Sequence, residues 1–310
     1  MQIYLPIAEM SVNVLLILGL GAAVGFVSGL FGVGGGFLMT PLLIFIGIPP
    51  AVAVATQTAQ IVASSTTSVL SAERRKAVDY KLGSVLVSGG LVGSVLGVAF
   101  FSHAKRVGQL DLVIVISYVT LFTIVGSLML KESVVDLWKR YRGNTSAAHV
   151  KKTQRHASYL AWPLRMRFHR SALYASIIPF LILSVFVGFI GALLGIGGGF
   201  MLVPALLYIF RVPIAVVVGT SQFQILCSTL VALVLHTVIS QSVDIVLATL
   251  LILGGVFGAQ FGSQAGRALK AEVFRVLLAL LLLAVGLRFA TELMATPKEL
   301  FSISSMEKHS

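Results

Sequence analysis

One cysteine, two tryptophans and eleven acidic residues in a chain of 310 leave few of the usual catalytic and stabilising devices. A lone Cys227 excludes an internal disulfide and a cysteine-built metal site. Charge is equally scarce. Asp, Glu, Lys and Arg make up 11% of the chain against 57% hydrophobic residues, with a mean hydropathy of +0.98. A water-soluble surface cannot be built from that balance, so the chain reads as a polytopic membrane protein. Inside the apolar runs there is no carboxylate, and His236 is the only histidine. No Ser-His-Asp, Cys-His or His-Glu set can assemble there, which speaks against an enzyme; no metal and no cofactor are expected.

What the chain has in abundance is apolar length. Runs such as Val12 to Phe31, Leu82 to Phe101, Val113 to Leu130, Ile177 to Leu194 and Val273 to Ala290 approach the roughly 20 residues a helix needs to cross a bilayer. The first run follows acidic Glu9 with no basic stretch ahead of it, so it is expected to stay as a membrane helix, not to be cleaved. The spacing predicts helices at about 12–31, 51–71, 82–101 and 110–130, then 174–194, 214–238, 243–264 and 272–292. Two shorter segments are expected at about 35–48 and 198–210.

The net charge of +12 is unevenly spread, with ten of the 23 Lys and Arg between Lys131 and Arg170. The positive-inside rule places that loop in the cytoplasm. Trp138, Tyr141, Tyr159, Trp162 and Phe168 interleave with its cations, a pattern suited to anionic headgroups of the bilayer and not to nucleic acid. The organisation is then an N-terminal transmembrane repeat (1–130), a basic cytoplasmic loop (131–173), a C-terminal transmembrane repeat (174–294) and a polar tail (295–310). Association into a homo-oligomer is compatible with these features.

The two halves are copies. Gly-Leu-Phe-Gly-Val-Gly-Gly-Gly-Phe-Leu-Met-Thr-Pro from Gly29 returns 163 residues later as Ala-Leu-Leu-Gly-Ile-Gly-Gly-Gly-Phe-Met-Leu-Val-Pro from Ala192. The segment from Gly47 to Gln60 aligns with Arg211 to Gln224, and Val78-Asp79 with Val243-Asp244. Gly89, Gly93 and Gly97 match Gly254, Gly258 and Gly262, a small-residue stripe that lets helix backbones approach closely. The fold expected is all-α, with eight full spans and two short glycine-broken helices, eight to ten spans in all. If the short segments cross, the repeats are inverted and Lys and Arg outside the spans divide 18 inside to 4 outside; if they re-enter, the repeats are parallel and the count is 16 to 6. The first arrangement fits better.

Glycine clusters cost a helix about 1 kcal/mol per residue, so they break it. Gly34, Gly35 and Gly36, with Gly197, Gly198 and Gly199, would free backbone amides beside a short helix, where an anion can bind. After each break comes a polar face. Thr56, Gln60 and Ser64 stand at i, i+4 and i+8, and Thr220, Gln224 and Ser228 repeat the spacing. Gln57, Ser221 and Gln222 widen it, giving neutral hydrogen-bond donors for a dehydrated substrate. Three further residues are weaker candidates for ion coupling: His236, which has no counterpart in the first half, and the paired Asp79 and Asp244, which also fit as helix N-caps.

The duplicated Gly-[Val/Ile]-Gly-Gly-Gly-Phe-[Leu/Met]-x-x-Pro motif (Gly32 to Pro41, Gly195 to Pro204), the Ala-Thr-Gln and Gly-Thr-Ser-Gln segments and the Val-Asp before each striped helix resemble the TauE/SafE sulfite exporter family, also called the toluene sulfonate uptake permeases. The resemblance covers about 12–130 and 174–292. It implies a multi-pass carrier of the bacterial inner membrane for a small sulfur-containing anion, sulfite or an organosulfonate, in a family that spans import and export. The reading of the site and repeats is a carrier working by alternating access between the repeats, with export favoured over uptake. The alternative is a passive anion channel or a carrier for another small organic anion.

Overall fold

The computed structural model describes residues 2–31, 36–141, 165–168, 173–210, 212–265 and 271–294. Each half follows one order. The first runs β1 (Gln2–Leu5), β2 (Met10–Asn13), α1 (Val14–Phe31), α2 (Gly36–Phe45), α3 (Pro50–Arg74), α4 (Tyr80–Val107) and α5 (Leu110–Tyr141). The second runs β3 (Arg165–Phe168), β4 (Leu173–Ser176), α6 (Ile177–Leu194), α7 (Gly199–Pro204), α8 (Ile214–Leu235), α9 (Ile245–Ala265) and α10 (Ala271–Met294). π-helical turns at Ala205–Ile209 and His236–Ser240 prolong α7 and α8. Punctuation is local: Pro49 and Pro213 precede α3 and α8, Asp79 caps α4, and Gly108 ends it at φ 75°.

The strands correct the all-helical expectation. Gln2 pairs with Asn13, and Arg165 with Ser176, in two antiparallel hairpins. These positions correspond at the same interval of 163, so the hairpin belongs to the duplicated unit. In the first hairpin Leu5 and Val12 turn inward and Tyr4 outward, the two-residue alternation of a half-buried strand. Four residues are too few for that alternation to stand out in a chain this apolar. α5 also continues to Tyr141, beyond the point where the basic loop was expected to begin.

Five helical stretches among the described residues are long and apolar enough to cross a bilayer: Tyr80–Val107, Leu110–Lys131, Ile177–Leu194, Val216–Ser240 and Ile245–Gly262. Shorter apolar stretches are Val14–Gly29, Gly36–Phe45 and Ala279–Thr291. Of the eight full spans expected from sequence, five meet both limits among the described residues. α3 has the length, with 25 residues, but its run of Thr, Gln and Ser lowers its hydropathy.

The chain divides into two compact units, Met1–Ile114 with Ser146–Lys270, and Val115–Thr145 with Ala271–Ser310. In the first, the halves interlock: α1 lies along α9 of the other half, α6 along α4, and α3 against α8. The glycine stripes are the contact surfaces. A Cβ at Gly254 would stand 2.6 Å from the Leu18 carbonyl oxygen, and one at Gly97 2.6 Å from that of Phe189. Flanking the stripes, Val92, Leu96 and Phe100 of α4, and Phe257 and Phe261 of α9, are exposed, as suits helices bordering hydrocarbon. Half of the buried polar side chains among the described residues lie on α3 and α8. In the second unit Tyr118 stacks on Phe289 with centroids 5.5 Å apart, and Gly126 of α5 faces Leu283 of α10.

Candidate substrate site

The two glycine motifs meet. In the second half Gly195, Gly197 and Gly198 have φ of 66°, 72° and 77°, a left-handed backbone that side chains oppose. Gly195 ends α6 and packs against the backbone of Val54, while Gly197 faces Ile61 and Ile225, themselves equivalent residues of α3 and α8. Gly199 opens α7 and is buried. In the first half Gly34 and Gly35 lie outside the described residues. Gly36 opens α2 and is buried, and a Cβ there would come within 2.7 Å of the Ile196 carbonyl oxygen. Thr40 Oγ1 donates to the Gly195 carbonyl at 3.4 Å. Phe37 and Phe200, the residues after each motif's last glycine, stack with centroids 5.7 Å apart.

Around this meeting point the polar faces of α3 and α8 are buried. Thr56, Gln57, Gln60, Thr220, Ser221, Gln222, Gln224 and Ser228 all lie inside, and Ser64 is half-buried, donating to the Ile61 carbonyl. The two threonines cross between halves: the Asp244 amide donates to Thr56 Oγ1 and the Asp79 amide to Thr220 Oγ1, both at 3.0 Å. Gln57 Nε2 donates to Gln60 Oε1, and Gln224 Nε2 donates to Ser228 Oγ at 2.8 Å. Gln57 Oε1, Ser221 Oγ and Gln224 Oε1 are buried with no hydrogen-bond partner among the described residues, as is Ser65 Oγ, which the i, i+4 spacing did not single out. An unpaired buried polar atom costs about 1–3 kcal/mol, so these are the atoms for which a polar ligand matters most.

The three weaker candidates sit nearby. Asp79 Oδ1 accepts from the amides of Lys81 and Leu82, capping α4. Asp244 Oδ1 accepts from the Leu247 amide, and its Oδ2 from the amide of Ile7 in the β1–β2 turn. Both carboxylates thus work as helix caps. His236 is buried on its π-helical turn, with Nε2 3.1 Å from the Ala192 carbonyl oxygen and its ring edge-on to Phe101 at 4.6 Å. Four residues further on, Lys105 Nζ donates to the Ser240 carbonyl at 2.7 Å and to Ser242 Oγ at 2.6 Å. That cation, on a helix end outside the polar faces, was not picked out by motif or spacing.

Comparison with known proteins fits this duplicated, glycine-broken arrangement. The family model described as Sulfite exporter TauE/SafE matches residues 17–289. The chain belongs to the TauE/SafE family. It is 30% identical to the probable membrane transporter protein YunE of Bacillus subtilis over 91% of this chain and 98% of that one. It is 28% identical to the probable membrane transporter protein YjnA of the same organism over 90% and 99%. A 124-residue stretch, 38% of this chain, is 32% identical to 26% of the Sulfite exporter TauE/SafE family protein 5 of Arabidopsis thaliana. No solved structure matches the chain. Within the TauE/SafE family, then, this is a multi-pass membrane protein whose polar residues gather where its two repeats interlock.

Proposed function

We propose that this TauE/SafE protein is a secondary carrier that exports a sulfur-containing oxyanion, sulfite or an organosulfonate, by alternating access of two inverted repeats. The observation that carries the reading is the juxtaposition of both glycine motifs beside buried polar faces whose hydrogen-bonding capacity is not used up. Sulfite and sulfonates present three oxygens to surrounding donors. Turning the Gln224 carboxamide about its Cγ–Cδ bond would keep its link to Ser228, whose hydroxyl can donate instead, and free both N–H groups for an anion. Neutral donors suit a substrate that must be held without water and then let go.

Three contacts favour inverted over parallel repeats. α3 is 25 residues long, about 37 Å at 1.5 Å per residue. In parallel repeats the first ends of α3 and α8 would share one face, and α4 and α9 would both start on the other. Thr220, near the first end of α8, nevertheless meets Asp79 at the start of α4, and Thr56 meets Asp244 at the start of α9. Lys105, at the last end of α4, meets Ser240 at the end of the α8 region. In the inverted arrangement all three pairs fall on common faces. The interior-negative membrane potential would then drive an exported anion with about 2.3 kcal/mol per charge per 100 mV.

Replacing Gln60 and Gln224 together with Leu is expected to leave a folded protein and abolish transport of labelled sulfite in proteoliposomes. Flux at the wild-type rate in that double variant would contradict the assignment of these side chains to substrate.

A further inference from the structure

Gly90 and Gly255 occupy matching positions, each one residue beyond the first glycine of its stripe. The stripe glycines are needed for helix packing, because a Cβ at Gly89 or Gly254 would run into the carbonyl oxygen of Leu181 (2.7 Å) or Leu18 (2.6 Å). Their neighbours are different. A Cβ at Gly255 would stand 2.5 Å from Gln60 Nε2, 3.4 Å from its Cδ and 3.5 Å from its Cγ, so its three nearest atoms all belong to one side chain of the other half. A Cβ at Gly90 would meet Ser228 Oγ and Gln224 Nε2, with Gln224 Cδ at 3.3 Å. Both glutamines are buried, and Gln224 Oε1 has no partner among the described residues. The backbones of Gly90 and Gly255 also lie against α6 and α1, but the space where a Cβ would stand is taken by the side chains of Gln224, Ser228 and Gln60, whereas at Gly89 and Gly254 a Cβ would also run into backbone of the packed helix.

We infer that Gly90 and Gly255 are positioning residues of the transport site: the space left by their missing side chains seats the carboxamides of Gln224 and Gln60, and the depth of that seat sets how each carboxamide meets the transported anion. The inference rests on the reading of Gln60 and Gln224 as substrate ligands. Each seat joins the two halves, a helix of one holding a side chain of the other, so both carboxamides are placed by the same contact that binds the repeats together.

The test is sulfite transport by full-length protein in proteoliposomes, with thermal unfolding measured on the same preparations. Gly255→Ala and Gly90→Ala should each raise KM for labelled sulfite about tenfold or more, the scale of effect when one added carbon displaces a packed side chain, while leaving the unfolding midpoint near wild type. Gly254→Ala should do the reverse and lower the midpoint. Combining Gly255→Ala with Gln60→Asn, which shortens the side chain by one methylene, should recover most of the lost affinity. An unchanged KM in both glycine variants, or a double variant no better than the product of its single losses, overturns the inference. If Gly255→Ala alone fails to fold, the double variant decides: folded, transporting protein supports the seat and aggregated protein overturns it. Silent glycine variants beside an inactive Gln60→Leu/Gln224→Leu protein would remove the positioning role and leave the site standing. Normal transport by the glutamine pair variant would remove both.

Discussion

At Thr56 and Thr220 a hydroxyl ties one half of the chain to the other, accepting the backbone amide that opens the opposite half's striped helix. The i, i+4, i+8 pattern made these threonines visible, since helical period places such residues on one face. Their partners were not visible, because Thr56 and Asp244 are 188 residues apart and pairing at that range leaves no periodic trace. Asp79 and Asp244 could be recognised as caps because a cap acts within its own turn. Thr220→Val should leave the Asp79 amide buried without its acceptor and lower stability by about 1–3 kcal/mol, read as a reduced unfolding midpoint in detergent. Thr220→Ser, which keeps the oxygen, should restore it. A midpoint unchanged in Thr220→Val would show that this amide does not depend on the threonine.

Among the elements, the helices were legible because each long apolar run between breakers has one outcome in hydrocarbon, where the backbone must satisfy its own hydrogen bonds. The break between α6 and α7, from Gly195 to Gly198, was legible for the converse reason. The strand pairs, 2–5 with 10–13 and 165–168 with 173–176, were not, nor was the seat inferred at Gly90 and Gly255, which shows only when Gln60 and Gln224 are seen across the interface. The stripes make a sharper claim about element pairing. A Cβ at Gly93 would stand 2.8 Å from the Phe189 amide nitrogen, and one at Gly258 2.8 Å from that of Phe26. Gly93→Leu and Gly258→Leu should each separate α4 from α6 or α1 from α9 and abolish recovery of monodisperse protein on size exclusion. Phe257→Leu, on the exposed face beside Gly258, should be recovered normally. Normal recovery of Gly258→Leu would contradict the stripe as the α1–α9 contact.

For the molecule as a whole, the duplication was plain in the sequence, while the interlocking of α1 with α9 and of α6 with α4 was not. Sequence similarity between halves says that they share a fold, not how they meet. Orientation has its own test in Lys76 and Gln241, equivalent residues that are both exposed and both at positive φ, 54° and 46°. In a Cys227→Ser background, Lys76→Cys and Gln241→Cys should react with an impermeant thiol reagent from opposite sides of the membrane; reaction from the same side would require parallel repeats. The most direct test of the central claim is counterflow. Proteoliposomes loaded with unlabelled sulfite and challenged with labelled sulfite outside should accumulate label transiently above equilibrium, because a carrier returns loaded from each exchange. Taurine, sulfoacetate and acetate labels in the same assay would define the substrate class. Rapid equilibration with every anion and no overshoot would contradict a carrier and point to a channel.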